Sequence, residues 1–307
     1  MPASPSNLVA TLIAADRFEA GAAVEVADRL NLAGYEPAET VWLEEGKAFD
    51  VEFSGNVETA RQALIPLADR ADLVVQPVEY RRKMLLVSDM DSTIITIECI
   101  DELADYAGIK TEIAEITERA MQGELDFEGA LRARVALLKG LHRDAIDRCI
   151  AERLRLTPGA ETLLATMRGW GAHSLLVSGG FTDFVSWVAS RIGFDGIAAN
   201  RLSIEGDHLT GEVEGAIVDA AEKARQLATM RDRLGLHPAQ VLAAGDGAND
   251  IPMVDAATAG GGLGVAYHAK PALAARANFS IRHNDLTAIL FAQGVPRNDW
   301  LSGADAR

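Results

Sequence analysis

Two aspartates separated by one residue, Asp89 and Asp91, close the apolar run in MLLVSDMDST. At a strand end, alternate residues can face one cleft. Two carboxylates this close repel, so a cation or a shared proton is expected between them. Magnesium takes oxygen ligands and often binds through one or two carboxylates plus substrate phosphate. A carboxylate can also attack phosphorus to give an aspartyl-phosphate. A second carboxyl can then protonate the leaving alkoxide and later take a proton from water. The pair therefore suits phosphoryl transfer. The same residues, with Ser92 and Thr93, would also serve as a turn or helix cap.

Two further apolar runs end in comparable groups. LLVSGGF closes on Ser178, Gly179 and Gly180, where a hydroxyl and glycine-exposed N–H groups can cradle a phosphate. A plain strand-to-helix turn would read the same. LAAGDGANDIPMV brings Asp246, Asn249 and Asp250. Its Gly-Asp-Gly turn can send Asp246 into the cleft as a third magnesium carboxylate. Asn249 and Asp250 fit the start of a helix, where capping is their ordinary use. Lys223 sits in the helical stretch DAAEKARQLATM, where a lysine is ordinarily solvated. Three strand ends with acidic or phosphate-friendly groups are a rarer coincidence than any one of them.

The elements that must position these groups follow from the pattern. From Met84 onward, the apolar runs MLLVSD, HSLLVSGG, VLAAGDG and GGGLGVA alternate with helical stretches. That predicts an α/β fold with a parallel sheet covered on both faces. Such sheets bind ligands beyond the carboxyl ends of their strands. Residues 94–157 carry no strand signal and read as four short helices inserted after the first strand of this sheet, overhanging the site as a lid would. NRLSIEGDHLTGEVEG reads as a hairpin turning at Gly206-Asp207. Residues 1–80 read as βαββαβ, the ferredoxin-like order, with Asn56 capping the second helix. Arg81, Arg82 and Lys83 are expected to be a solvated linker to the second domain, residues 81–307. The tail PRNDWLSGADAR is expected to fray.

In this order, DMDST, VSGG, the lysine and GDGANDIPM resemble the haloacid dehalogenase superfamily of aspartyl-phosphate phosphatases. The resemblance spans about residues 84–295 and implies a Rossmann-like core with a helical cap. It implies that Asp89 is the nucleophile. Asp91 would be the general acid/base, with its main-chain carbonyl on Mg2+. Asp246 would complete the metal site with Asp89. Ser178 and Gly179 would hold phosphate oxygens. Lys223 would neutralise the phosphate and fix the nucleophile, with Asn249 and Asp250 supporting the metal, phosphate and lysine. Residues 1–80 resemble the small ACT-type domains attached to amino-acid enzymes, which implies a docking or dimerisation module or a ligand sensor.

Specificity is expected in the helical insertion. Phe127, Leu131, Arg134 and Leu138 lie along one helix face, so Arg134 is aligned with an apolar stripe. Its planar fork suits a carboxylate, although an arginine can also snorkel at the edge of such a stripe. Glu98 begins the first inserted helix, where a negative charge is favourable in itself. It could also meet a substrate ammonium. Together the two describe an amino acid. The family uses an acid and an arginine at these matching places, and the same resemblance lays Met121 and Phe127 over the substrate. The expected reaction is hydrolysis of phosphoserine, the last step of serine synthesis. Phosphohomoserine or phosphothreonine is the alternative substrate, and a non-catalytic amino-acid or phosphate sensor the alternative class.

Composition narrows the partners. The chain has 307 residues, 49% hydrophobic and 24% charged, which suits about two globular domains. A net charge of -16 opposes nonspecific binding to nucleic acid or anionic membranes. Cys99 and Cys149 form neither a disulfide framework nor a zinc spacing and are expected to be buried and inert, a redox-sensitive thiol being the alternative for Cys99, which lies near the aspartate pair. The N-terminal stretch has no basic residue ahead of its short apolar run, unlike a secretory signal, and no stretch reaches the length of a membrane span. A cytoplasmic protein acting on a small molecule is expected, with a possible homodimer through the N-terminal domain.

Overall fold

The structure is a computed structural model that describes residues 6–121 and 124–303. The first sheet is built from β1 (Ser6–Ala14), β2 (Val41–Glu44), β3 (Ala48–Gly55) and β4 (Ala71–Pro77), in the order β2-β3-β1-β4 with antiparallel pairs. Helices α1 (Ala22–Leu32) and α2 (Val57–Leu64) cover one face. Strand alternation explains why: Leu8, Ala10 and Leu12 pack with Val26, Leu30 and Leu64 from those helices. Asn56 caps α2 by accepting from Thr59 N, as its position predicts.

The opposite face of this sheet is also buried, and the second body covers it. Ile13, Ala48 and Val74 belong to the main core of the chain. Between them lie polar groups that are all paired. Thr11 Oγ1 donates to Asp50 Oδ1 at 2.8 Å. Arg81 makes a fork on Asp50, 2.7 Å to each oxygen, and donates to Ala292 O at 2.9 Å. Asp72 accepts the main-chain N–H groups of Arg282, His283 and Asn284.

The expectation of a solvated basic linker is therefore corrected. Lys83 is 2% exposed, and its ammonium donates to Tyr80 O at 2.8 Å and Ala239 O at 2.9 Å. Only Arg82 stays exposed, over the Trp170 ring. The segment runs between two bodies that bury against each other, and the carbonyls left there need donors. Replacing Asp50 by alanine would leave Arg81 half-enclosed without its carboxylate, at a cost of roughly 3 kcal/mol. A lower urea midpoint for Asp50→Ala is expected; an unchanged midpoint would show that the pair contributes nothing to docking.

The second sheet begins with β5 (Leu85–Ser88), a strand with every residue buried. Four helices follow it directly: α3 (Cys99–Ala107), α4 (Lys110–Met121), α5 (Phe127–Leu137) and α6 (Asp144–Glu152). The ends of this cap are stitched together where it leaves the sheet: Thr96 N donates to Arg155 O at 3.0 Å and Thr157 N to Ile94 O at 2.9 Å. The chain continues through α7 (Ala160–Gly169), β6 (His173–Phe181), α8 (Thr182–Ile192), β7 (Gly196–Glu205), β8 (His208–Glu214) and α9 (Ala220–Arg233). It closes with β9 (Val241–Gly245), α10 (Ile251–Ala259), β10 (Leu263–Tyr267), α11 (Pro271–Ala274), β11 (Phe279–Ile281) and α12 (Ala288–Ala292).

The sheet order is β11-β10-β9-β5-β6-β7-β8, parallel except for the β7–β8 hairpin. β5 lies between β9 and β6, so the three strands that carry the candidate motifs are neighbours. The hairpin also reaches the cap: Gly140 N donates to Leu209 O at 2.8 Å. The tail does not fray as far as Gly303. Trp300 packs on Phe291 at 4.7 Å, and Leu301 N donates to Thr166 Oγ1 at 2.9 Å. An aromatic anchor outweighs the polar composition of this segment. Among the described residues no helix is long and apolar enough to cross a membrane.

Candidate active site

Asp89 leaves β5 with its main-chain N–H on Ala244 O of β9, so the adjacent strand holds the start of the loop. Its side chain is 4% exposed. Oδ1 accepts twice, from Met90 N at 2.7 Å and from the Lys223 ammonium at 2.7 Å. Among the described residues Oδ2 takes no hydrogen bond, so it is the oxygen left for chemistry. Lys223, on α9, also reaches Asp250 Oδ1 at 2.7 Å and is 1% exposed. The solvated lysine that a helical position suggests is thus a buried one, in ion pairs with two carboxylates. Burial opposes its charge, but Asp89 and Asp250 outweigh burial and hold it above the usual lysine range.

Asp250 organises the third strand end. Its Oδ2 accepts from Asp246 N and Gly247 N, both at 3.1 Å. That fold of the turn needs glycine at 245, because a Cβ there would stand 2.3 Å from the Asp250 carboxylate. Asp246 is thereby aimed into the cavity. Burial, reinforced by Asp250, pushes its carboxyl up to about 6. Burial and Asp250 likewise raise Asp89, with Lys223 opposing. Asp91 is enclosed by the cap, and burial together with Glu98 pushes it up to about 7. Five acids with one buried lysine leave an excess of negative charge, which a cation would relieve.

Oxygens of Asp89, Asp246 and Asp250 lie within 4.8 Å of one another. Both Asp250 oxygens already accept from protein donors, so the pair open to a metal is Asp89 and Asp246. Two carboxylates on one side of a site open to substrate fit magnesium, which keeps several positions for water or phosphate.

The phosphate side comes from β6. Ser178 Oγ accepts from Gly180 N at 2.8 Å, which frees its hydroxyl hydrogen to point elsewhere. Gly179 O accepts from Asn200 Nδ2 at 2.8 Å, and Asn200 Oδ1 accepts from Val218 N. The Phe127 ring of α5 packs on Gly179; a Cβ there would lie 2.9 Å from it. Asp89, Asp91, Glu98, Ser178, Gly179, Gly180, Asp246, Asn249 and Lys270 line one cavity of about 110 Å³. A larger groove, about 940 Å³, runs beside α7 and α8 and holds none of these groups.

Glu98 is the N-cap residue of α3 without a capping bond; its carboxylate accepts from Ser92 Oγ at 2.7 Å and faces the cavity. Arg134 lies on the stripe with buried Leu131 and Leu138, as its spacing predicts. It is half-buried, donates Nε to Ala130 O at 3.3 Å and forms no ion pair among the described residues. Burial lowers its guanidinium, while Asp101 and Glu98 oppose that shift, so the arginine and Glu98 share one neighbourhood. Arg134 does not line the cavity itself. Met121 ends α4, and its side chain lies outside the described residues.

The haloacid dehalogenase-like hydrolase family model matches residues 86–255, which include all three strand ends. The chain belongs to the haloacid dehalogenase-like hydrolases. A phosphoserine phosphatase of Albidiferax ferrireducens is 44% identical over 234 residues, 73% of this chain and 97% of its own. One from Streptomyces coelicolor is 43% identical over 227 residues, and there the match spans 54% of the relative's length. The crystal structure of a probable phosphoserine phosphatase from Vibrio cholerae superposes with a TM-score of 0.74 at 32% identity, covering 96% of this chain and 88% of that one.

Two residues at the hydrolase's site, Lys270 and Asn200, escaped the sequence reading, and for Cys99 the contact with Asp91 goes beyond the expected burial. Lys270, at the N-cap of α11, lines the cavity, and its main-chain N–H holds Asp246 O at 2.9 Å. Asn200 pins the Gly179 peptide from β7. Cys99 donates its thiol to Asp91 Oδ1 at 3.0 Å. Lys270 and Asn200 lie in stretches with no motif, and their roles depend on which strands are neighbours. Cys99 is buried as expected, and burial with the Asp91 charge keeps it a thiol.

Proposed function

We propose that this hydrolase cleaves phosphoserine to serine and phosphate, with Asp89 as nucleophile and Asp91 as general acid/base. The observation that carries the reading is one cavity in which Asp89, Asp91 and the Ser178–Gly180 turn meet Glu98. Asp89 Oδ2 attacks phosphorus, the bond from phosphorus to the serine oxygen breaks, and the proton of Asp91 passes to that oxygen. Water then attacks the aspartyl-phosphate. Its proton goes to Asp91, its oxygen bonds to phosphorus, and Asp89 is released. Lys223 holds Asp89 in place and balances phosphate charge; Ser178, Gly179 and Asn249 contact the phosphate oxygens. A Mg2+ held by Asp89, Asp246 and the Asp91 carbonyl would neutralise charge on the phosphoryl group. Asp250 supports Lys223 and the Asp246 turn.

Substrate choice falls to the cap. Glu98 would receive the ammonium of phosphoserine and Arg134 its carboxylate, with Phe127 packed over the substrate. A cation enclosed without an acid partner is what a substrate carboxylate would satisfy. We also infer action in the cytoplasm on a free metabolite. A homodimer would form through the N-terminal part, where Val24, Leu32 and Val41 are exposed; sedimentation would read it.

The test is phosphate release from L-phosphoserine and from p-nitrophenyl phosphate, with magnesium and with chelator. Fast release that favours phosphoserine and stops with chelator is expected. Arg134→Ala should then lose about 30- to 1,000-fold in kcat/KM on phosphoserine, a contact worth roughly 2–4 kcal/mol. It should change p-nitrophenyl phosphate little. Equal loss on both esters would make Arg134 a structural residue.

A further inference from the structure

The base of the cap also grips the candidate acid. Cys99, the first residue of α3, is 0% exposed and donates its thiol hydrogen to Asp91 Oδ1 across 3.0 Å. The other oxygen points the opposite way. A Cβ built on Gly180 would lie 2.9 Å from Asp91 Oδ2 and 3.0 Å from Ser178 Oγ. Oδ1 therefore faces the cap, and Oδ2 faces the phosphate turn. A second tie, Ser92 Oγ to Glu98 Oε1 at 2.7 Å, braces the same loop one residue before Cys99.

Building on the reading of Asp91 as general acid/base, we propose that Cys99 is a positioning residue that holds the Asp91 carboxyl with Oδ2 toward the leaving oxygen. The terminal torsion of an aspartate is broad and roughly two-fold, so packing alone does not choose between its oxygens. A donor on Oδ1 makes that oxygen the acceptor, and the acid proton then resides on Oδ2. From there it passes to the serine oxygen as the ester bond breaks. In the second half-reaction Oδ2 takes the proton of the attacking water. Cys99 itself touches neither substrate nor phosphorus.

The contrast that tests this is alkyl against aryl ester. A serine alkoxide needs a proton to leave, whereas p-nitrophenolate does not. kcat/KM reports the phosphorylation half-reaction for both. Cys99→Val removes the donor at similar volume, and Cys99→Ser keeps one. With phosphoserine and β-glycerophosphate, Cys99→Val should lose about 10-fold in kcat/KM, part of the 10²–10⁴ typical of a whole general acid. With p-nitrophenyl phosphate the loss should stay under about 2-fold, and Cys99→Ser should stay within about 3-fold of wild type on all three. Cys99→Ala serves in place of Cys99→Val if the valine variant does not fold. Equal losses on alkyl and aryl esters would overturn the proposal, as would a donor-free variant matching wild type or a folded serine variant as poor as valine. A wild type that cleaves β-glycerophosphate as well as phosphoserine overturns the substrate assignment alone. The alkyl–aryl contrast in the variants still decides the role of Cys99.

Discussion

Asp89→Asn is expected to cut phosphate release by at least about 10⁴-fold, the scale on which removal of a nucleophile is felt. The variant keeps the shape of the site. An amide oxygen at Oδ1 can still accept from Met90 N and from Lys223, while the amide nitrogen that replaces Oδ2 cannot attack phosphorus. The fold should not suffer. Burial and Asp250 raise Asp89 in the folded chain. A group raised on folding contributes stability below its unfolded value, and that contribution is lost as pH rises toward the folded value. Metal-free protein at neutral pH therefore carries Asp89 as a cost, and Asp89→Asn should unfold at the same or a higher denaturant midpoint. Residual turnover within tenfold of wild type would remove Asp89 from the role of nucleophile.

Lys223→Met is expected to fail differently, losing activity and stability together. The lysine ammonium is 2.7 Å from Asp89 and 2.7 Å from Asp250, and all three side chains are buried. Methionine fills the space but leaves two carboxylates facing each other without a cation. Removing one partner of a buried pair typically costs about 3–5 kcal/mol. The loss should be largest at neutral pH and shrink in acid, as Asp89, which burial raises, takes up a proton. Urea unfolding at pH 7 and pH 5 reads the difference. A variant as stable as wild type at pH 7 would mean that water or counter-ions already balance the pair. Asp89→Asn and Lys223→Met thus separate the proposed nucleophile from a group that also holds the fold.

Much of this protein was legible before its structure. Continuous apolar runs such as LLVS and VLAAG, alternating with helical stretches, pointed to strands covered on both faces, and the residues closing them then lie at one edge of the sheet. Local chemistry placed Asp89, Ser178 and Asp246 there, and the helical spacing of Leu131, Arg134 and Leu138 put the arginine on the inner stripe. The βαββαβ order of the first 80 residues and the hairpin at Gly206-Asp207 are likewise written in short-range periodicity and turn residues.

Tertiary structure alone decided the rest. By position alone Lys223 looks like any lysine on a helix, and only the family resemblance tied it to Asp89; Lys83 looks like any lysine of a linker. Lys223 is buried because the loops after β5 and β9 bring Asp89 and Asp250 to it, and Lys83 because it meets the bare carbonyls of Tyr80 and Ala239. Arg81 pairs with Asp50 only because the small sheet docks its second face on the core. Asn200 matters because β7 lies beside β6, and Cys99 matters because the cap returns to Asp91. A residue's own type and spacing set what it can do. Its partner is set by contacts across many intervening residues, and no local pattern carries that information.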